Sequence, residues 1–248
     1  AANDGKHDHL MPHIKELYSL YGALRGARDK RGAIDFETVE TRVLFDTERR
    51  IDEIVPVHRN AAHKIIEECM LAANVATAQL LDKYEVDALF RVHEGPSEQK
   101  MKNLREYLGE LGLSLGGGVD PTPKDYQALL DRARERPDAT VIQTMMLRSL
   151  SQAVYQPENN GHFGLHYSAY AHFTSPIRRY PDLLVHRAIR YLIRSKPATK
   201  HFHREDGAKK LKAAQIYPYD TAAMVAMGEH CSMTERRADD ASRDVMAW

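Results

Sequence analysis

The stretch that begins at His162 and reads HFGLHYSAYAHFTSPIRRYPDL constrains this chain more than any other. It crowds aromatic rings, three histidines, a Thr-Ser-Pro break and two adjacent arginines into one short run. Ser175-Pro176 predicts a helix start, with Ser as the N-cap and Pro at the first helical position, where a missing N–H costs nothing. The helix is expected over 176–194. The backbone N–H groups of Ile177 and Arg178 then count among the unpaired donors of its first turn. Arg178 falls on that turn, so dipole, amides and guanidinium are expected to face one anion. The run therefore predicts a phosphate-holding corner, and the rest of the chain must say which phosphate.

Net charge does not answer that question. Lys+Arg and Asp+Glu stand at 35 each, and clustering matters more than the total. From Arg178 to Arg194 five arginines (178, 179, 187, 190 and 194) accompany one acid, Asp182. Arg187, Arg190 and Arg194 share a helix face at i, i+3, i+7, which on charge alone reads as a solvated face. Cys69 and Cys231 give no disulfide framework, which fits a reducing compartment and a cytoplasmic location. No signal-peptide pattern is read in this sequence, and no apolar run approaches the roughly 18 residues of a membrane span, so no membrane partner is expected. The chain starts Ala-Ala-Asn and stops at Trp248 inside a predicted helix. Both ends are expected to be cuts in a longer protein, exposing apolar faces that favour self-association of the fragment.

Periodicity predicts a helix from Leu10 to Arg28, ended by Lys30-Arg31-Gly32, with Ile14, Leu17, Tyr18, Tyr21 and Leu24 at helical spacing. Short strands follow: AIDFE, TRVLFD and RRIDEIVPV, with Asp46-Thr47-Glu48 as a hairpin turn. Asn60 is placed to cap a helix from Ala61 to about Lys83. Ala88 to His93 reads as a strand, Ser97 to Leu111 as a helix and 112–123 as a Gly-rich loop. Further helices are expected over 124–134 and 139–155. Leu165 to Phe173 reads as extended, 195–218 as a Lys-rich mobile insertion, and Thr221 to Trp248 as the last helix. The fold class is helix-rich α+β with short antiparallel strands, with no βαβ alternation, GxGxxG or P-loop.

Each candidate site residue has a plainer alternative. Arg178 and Arg179 both lie one turn from Asp182, and spacing favours the ion pair for Arg179. Arg178 stays open between that pair and an anion, which its planar fork of donors suits. In the helix after Asn60, His63, Glu67 and Asn74 share one stripe, while Glu68 falls on another face with Lys64. A carboxylate on a buried helix face needs partners; Glu67 is either paired locally with His63 or part of a site. Phe36 reads as a core aromatic, with base stacking as the minority reading. The groups His7, His9, His13 and His201, His203 lack a closed ligand set, and no tight Asp cluster offers a Mg²⁺ site. Ser175 has no base beside it, so it reads as a cap and not a nucleophile.

These residues carry a resemblance. GHFGL from Gly161, YAHFTSPIRRYPDL from Tyr170 and HRAI from His186 are similar to the signature of the RNB exoribonucleases. RGAIDFE from Arg31, RNAAHK from Arg59, IEECMLAAN from Ile66, LFRVH from Leu89 and CSMTERRAD from Cys231 agree in order. The resemblance implies an RNB-type catalytic domain fragment and processive 3′→5′ hydrolysis of single-stranded RNA to nucleoside 5′-monophosphates with Mg²⁺. It implies that Arg178 holds the scissile phosphate, flanked by Ser175 and Arg179. Phe36 would stack on a base near the 3′ end. Glu67 would lie near the terminal ribose, where a 2′-OH contact distinguishes RNA from DNA. The family's catalytic aspartates, the tyrosine opposing Phe36, and the cold-shock and S1 modules are not in this sequence. Residues 1–248 are thus expected to be the C-terminal part of the catalytic domain, inactive alone. The alternative is a non-catalytic RNA-binding or interaction module on the same scaffold. A small phosphometabolite enzyme is a weaker third reading.

Overall fold

The computed structural model describes residues 7–36, 40–57, 59–195, 203 and 207–246. In chain order the elements are α1 (Met11–Arg31), β1 (Glu40–Phe45), β2 (Ile51–Val57), α2 (Ala61–Lys83), β3 (Phe90–Val92) and α3 (Glu98–Glu110). They continue with α4 (Pro123–Ala133), α5 (Ala139–Ser149), β4 (Val154–Gln156), α6 (Tyr180–Ser195), α7 (Ala213–Ile216) and α8 (Thr221–Met246). The class is the expected one, helix-rich with short antiparallel strands, which among the described residues form two ribbons, β1-β2 and β3-β4. The chain forms two compact units: Ala1–Leu71 with Leu108–Leu147, and Ala72–Tyr107 with Arg148–Trp248. No helix among the described residues is long and apolar enough to cross a membrane.

Local signals set the elements of the first unit. Gly32, in the left-handed conformation at φ 77°, ends α1 with its N–H on Arg28 O and Asp29 O, the C-terminal geometry glycine favours. Asp46 Oδ1 accepts the amides of Glu48 and Arg50, both at 2.8 Å, which turns the chain from β1 to β2. Asn60 and His63 cap α2 reciprocally: Asn60 Oδ1 accepts the His63 amide and the Asn60 amide donates to His63 Nδ1, each at 3.2 Å. The core of this unit is Leu108, Tyr126, Leu129, Ile142 and Met146, all fully buried. The apolar positions of α1 are not covered as its periodicity predicts, since Leu17 and Tyr18 are exposed. The expected strand AIDFE is absent over 33–36, and residues 37–39 lie outside the described ones.

The second unit packs around Leu81, Leu89, Val92, Tyr155, Leu184, Val185, Leu192 and Met224. Helix α6 buries Leu184, Val185, Ala188 and Leu192, the i, i+3/i+4 stripe of an amphipathic helix. Helix α8 crosses β4 closely. A Cβ on Gly228 would lie 2.5 Å from the Tyr155 carbonyl oxygen, so only glycine allows this contact. The helix expected over 139–155 ends at Ser149, because Val154–Gln156 pairs antiparallel with β3 and the Tyr155 amide donates to Ser232 Oγ at 2.9 Å. The run expected to extend from Leu165 starts inside a turn, where the His162 amide meets Tyr167 O at 2.8 Å. Gly161 leads into it at φ 74°, with Tyr167 O only 2.9 Å from where a Cβ would stand. The insertion 195–218, expected to be mobile, contains α7. Ile216 and Tyr217 are buried, and Tyr217 Oη donates to the Asp87 carbonyl at 2.7 Å. Residues 196–202 and 204–206 lie outside the described ones.

Candidate functional site

The corner at residues 174–182 differs from its expected form. Helix α6 begins at Tyr180, four residues after Pro176, and Pro176 to Arg178 form a turn. The cause is Asp182. This carboxylate is 0% exposed and must collect donors. Its Oδ1 accepts the Ser175 amide at 2.7 Å and Arg179 Nη2 at 2.8 Å. The Ser175 carbonyl in turn accepts the amides of Arg178 at 3.2 Å and Arg179 at 3.1 Å. The Arg178 amide is thus already paired, and the free-amide cradle predicted from the Ser-Pro signal does not form. Pro181 is the proline inside the first helical turn, with Asp182 beside it at the end where a negative charge is favoured.

The turn separates the two arginines. Arg179, read both as a partner of Asp182 and as a substrate contact, is seen in the first arrangement, its side chain 18% exposed. Arg178 is exposed, and its side chain makes no hydrogen bond or ion pair among the described residues. Its pairing with Asp182, the plainer alternative, is not what the structure holds. The other basic positions of α6 divide in the same way. Arg187 donates to the Ile216 carbonyl at 3.2 Å and lies 5.1 Å from the centre of the Tyr219 ring. Arg194 Nε donates to the Lys209 carbonyl at 2.9 Å. Two members of the expected solvated stripe are therefore structural ties, and Arg190 is the exposed one.

Behind the turn lies a buried, ring-lined support. Asn74, predicted on the stripe of His63 and Glu67, is 3% exposed. It donates to Tyr170 Oη and accepts the Phe173 amide, both at 2.9 Å. His186 Nε2 bonds to the Phe173 carbonyl at 2.9 Å, and the two rings stack at 4.3 Å. Tyr155 Oη and His172 Nδ1 are 2.8 Å apart. Burial, then the charges of Arg179 and Arg91, lower the His172 pKa to about 2, with His162 and Arg178 adding to the effect. Burial, with His93 and Arg91 beside it, lowers that of His162 to about 3. Burial raises the Tyr155 phenol to about 12. Neutral rings thus back a cationic turn.

The first unit holds a second constellation. Glu67, expected either to pair locally with His63 or to be part of a site, is half-exposed. Its Oε1 lies 3.5 Å from Arg28 Nη1 and its Oε2 bonds Arg59 Nη2. The buried carboxylate is Glu68, 5% exposed, 2.9 Å from Arg28 Nη1. Arg28, itself 6% exposed, also reaches Asp35 Oδ1 at 3.2 Å. Asp35 is further held by Arg25 Nη1 at 2.9 Å and by Gln127 Oε1, which accepts its amide at 2.8 Å. Phe36 follows Asp35 directly and is half-buried. Burial opposes the charge of Arg28, but the bond to Glu68 and the charges of Asp35, Glu68 and Glu67 outweigh it and raise its pKa. Sequence reasoning missed Arg28, because its partners on α2 lie 39 and 40 positions away and no local pattern connects them.

The profile of the RNB domain matches residues 1–195. The chain belongs to the RNB domain family. It is 54% identical over 239 residues to Ribonuclease R of Vibrio cholerae, covering 96% of this chain and 28% of that one. It is 49% identical to Ribonuclease R of Escherichia coli over the same shares. The apo form of Mycoplasma genitalium RNase R has a TM-score of 0.83 at 24% identity, over 95% of this chain and 35% of that one. The complex of that protein with ribose methylated single-stranded RNA gives 0.80 at 25% identity. The chain therefore spans about 28% of the length of these curated relatives.

Mg²⁺, which the RNB resemblance implies, does not fit the side chains present. Among the described residues no three of His, Cys, Asp and Glu converge to hold an ion. The carboxylates at both constellations are engaged by arginines: Asp182 by Arg179, Glu67 by Arg28 and Arg59, Glu68 by Arg28.

Asp182→Ala leaves the half-buried Arg179 unpaired and frees the Ser175 amide. It is expected to lower stability by about 3–5 kcal/mol, read as the shift in urea midpoint; a loss below about 1 kcal/mol, the scale of an exposed pair, contradicts this account. The half-buried His162 and His172 set a pH dependence. Their folded pKa values lie below the ordinary value of about 6.5, so acid protonates the unfolded chain first. Stability is expected to be fully present above about pH 6.5 and to fall on acidification towards the folded values, by about 1.4 kcal/mol per pH unit for each such histidine. Urea midpoints equal at about pH 8 and about pH 5 would show that these rings are not held neutral.

Proposed function

We propose that this chain is the C-terminal part of the catalytic domain of a 3′→5′ exoribonuclease that degrades single-stranded RNA to nucleoside 5′-monophosphates in the cytoplasm. The observation that carries the reading is Arg178: an exposed guanidinium, without a partner among the described residues, on a turn fixed from below by a buried carboxylate. Such a group suits a phosphodiester, which accepts two parallel N–H bonds from an arginine fork. The family membership and the single-stranded RNA held by the related Mycoplasma genitalium RNase R support RNA as the polyanion.

In hydrolysis of a phosphodiester, negative charge builds on the phosphoryl oxygens as water attacks and the sugar oxygen leaves. Arg178 would meet that charge with donors already in place, so its contribution grows towards the transition state. Ser175 and Arg179 act on Arg178 by fixing the turn. Phe36 would stack on a base near the 3′ end, and Glu67 would accept a hydrogen bond from a ribose 2′-OH. Mg²⁺ ligation is assigned to residues outside this sequence, and no step is derived through it. Self-association of the isolated chain is part of the same reading, supported by the exposed Leu17, Leu20, Phe45 and Ile51 in the first unit.

The test is a chimera in which this chain replaces the matching segment of Vibrio cholerae Ribonuclease R. The chimera is expected to release mononucleotides from the 3′ end of single-stranded RNA. Arg178→Ala in it is expected to lower kcat about 10²–10³-fold, with a much smaller change in KM. A folded chimera without nuclease activity counts against the reading, and activity that survives Arg178→Ala removes the role of Arg178.

A further inference from the structure

We infer that Arg28 is a positioning residue for ribose recognition: it sets the orientation in which Glu67 meets a sugar hydroxyl. The inference rests on the proposed role of Glu67 and extends it to a residue with no RNA contact of its own.

The argument starts from three segments joined by one guanidinium. Arg28 lies in the last turn of α1, Asp35 in the segment before β1, and Glu67 and Glu68 on α2. Its Nη1 serves both glutamates, at 2.9 Å to Glu68 and 3.5 Å to Glu67, and its Nη2 serves Asp35 at 3.2 Å. Burial of both Arg28 and Glu68 makes that pair the fixed point, since its geometry cannot relax into water. The half-exposed Glu67 is held at both oxygens, Oε1 from Arg28 and Oε2 from Arg59. A carboxylate gripped at both ends keeps one orientation yet has lone pairs left over, because each oxygen can accept twice. It offers only acceptors. A ribose 2′-OH can donate to it, whereas a deoxyribose has nothing to give.

Lysine cannot do this work. A guanidinium spans several carboxylates with fixed donor directions, whereas an ammonium is a point charge on a flexible stem. Loss of Arg28 therefore frees Glu67 on one side even when charge is retained. Asp35 is released with it, and so is the backbone that carries Phe36, which ties the base-facing and sugar-facing residues to one control point.

The experiment measures affinity of the full chain for a short single-stranded RNA and for the DNA of the same sequence, by fluorescence anisotropy at fixed salt. The readout is the ratio of the two affinities, which a merely structural role would not move. Arg28→Lys is expected to lower the RNA preference about tenfold or more, with the far-UV spectrum and melting temperature close to those of the parent. Arg28→Met with Glu68→Leu removes the buried pair together, so no charge is stranded. This variant keeps the fold testable and is expected to show the same loss. Glu67→Gln is expected to lose the preference to a similar degree, and combining it with Arg28→Lys to add little, as for residues acting as one unit. An unchanged ratio in both Arg28 variants, beside a lowered one in Glu67→Gln, overturns the inference and leaves the role of Glu67 standing. A parent chain that does not prefer RNA, or a Glu67→Gln chain that prefers it undiminished, overturns the role of Glu67 and this inference with it.

Discussion

The buried carboxylate of Asp182 is the interaction on which the rest of this structure depends. A fully buried Asp at a helix start is costly unless its oxygens are used. Here one oxygen gathers the Ser175 amide and the Arg179 guanidinium. That convergence moves the helix start from Pro176 to Tyr180 and turns Arg179 inward. It leaves Arg178 at the outside of a turn, with its own amide already paired to the Ser175 carbonyl. The two adjacent arginines thus acquire opposite roles from one carboxylate.

Signals carried within a few residues were legible in the sequence. The Asn60 cap, the Asp46 turn and the Gly32 stop each involve a side chain and backbone two to four positions apart, or a single backbone conformation. The helix start in the opening motif was not, although it looks equally local. Ser-Pro is a valid start signal, but Pro181 with a buried Asp182 forms a competing one, and burial decides between them. Strand β4 was lost inside a predicted helix because its partner β3 lies far earlier in the chain, and packing overrides propensity in strands. Helix α7 was lost inside a Lys-rich run because what anchors it, Tyr217 on the Asp87 carbonyl, is long-range.

The same division applies to the site residues. The motif singles out Arg178, and the turn explains why that arginine and not its neighbour is available. Glu67 and Phe36 stood out by resemblance, but what holds them did not. The Arg28 array joins α1, the segment before β1 and α2, and its closest pair involves the glutamate next to the one singled out. Both constellations use arginine–carboxylate bonds, one to push an arginine outward and the other to grip a half-exposed glutamate. In each, the group proposed to touch RNA is more exposed than the buried residue that anchors its network, Asp182 in one and Arg28 with Glu68 in the other.

The central claim is that Arg178, and not Arg179, grips a backbone phosphate. The salt dependence of single-stranded RNA binding tests it most directly, because each phosphate neutralised adds about 0.7 to the slope of log K against log salt for single strands. Arg178→Ala is predicted to make that slope shallower by about this amount while leaving the fold intact. An unchanged slope would contradict the account, because Arg178 would then be a solvated side chain and the corner no phosphate site.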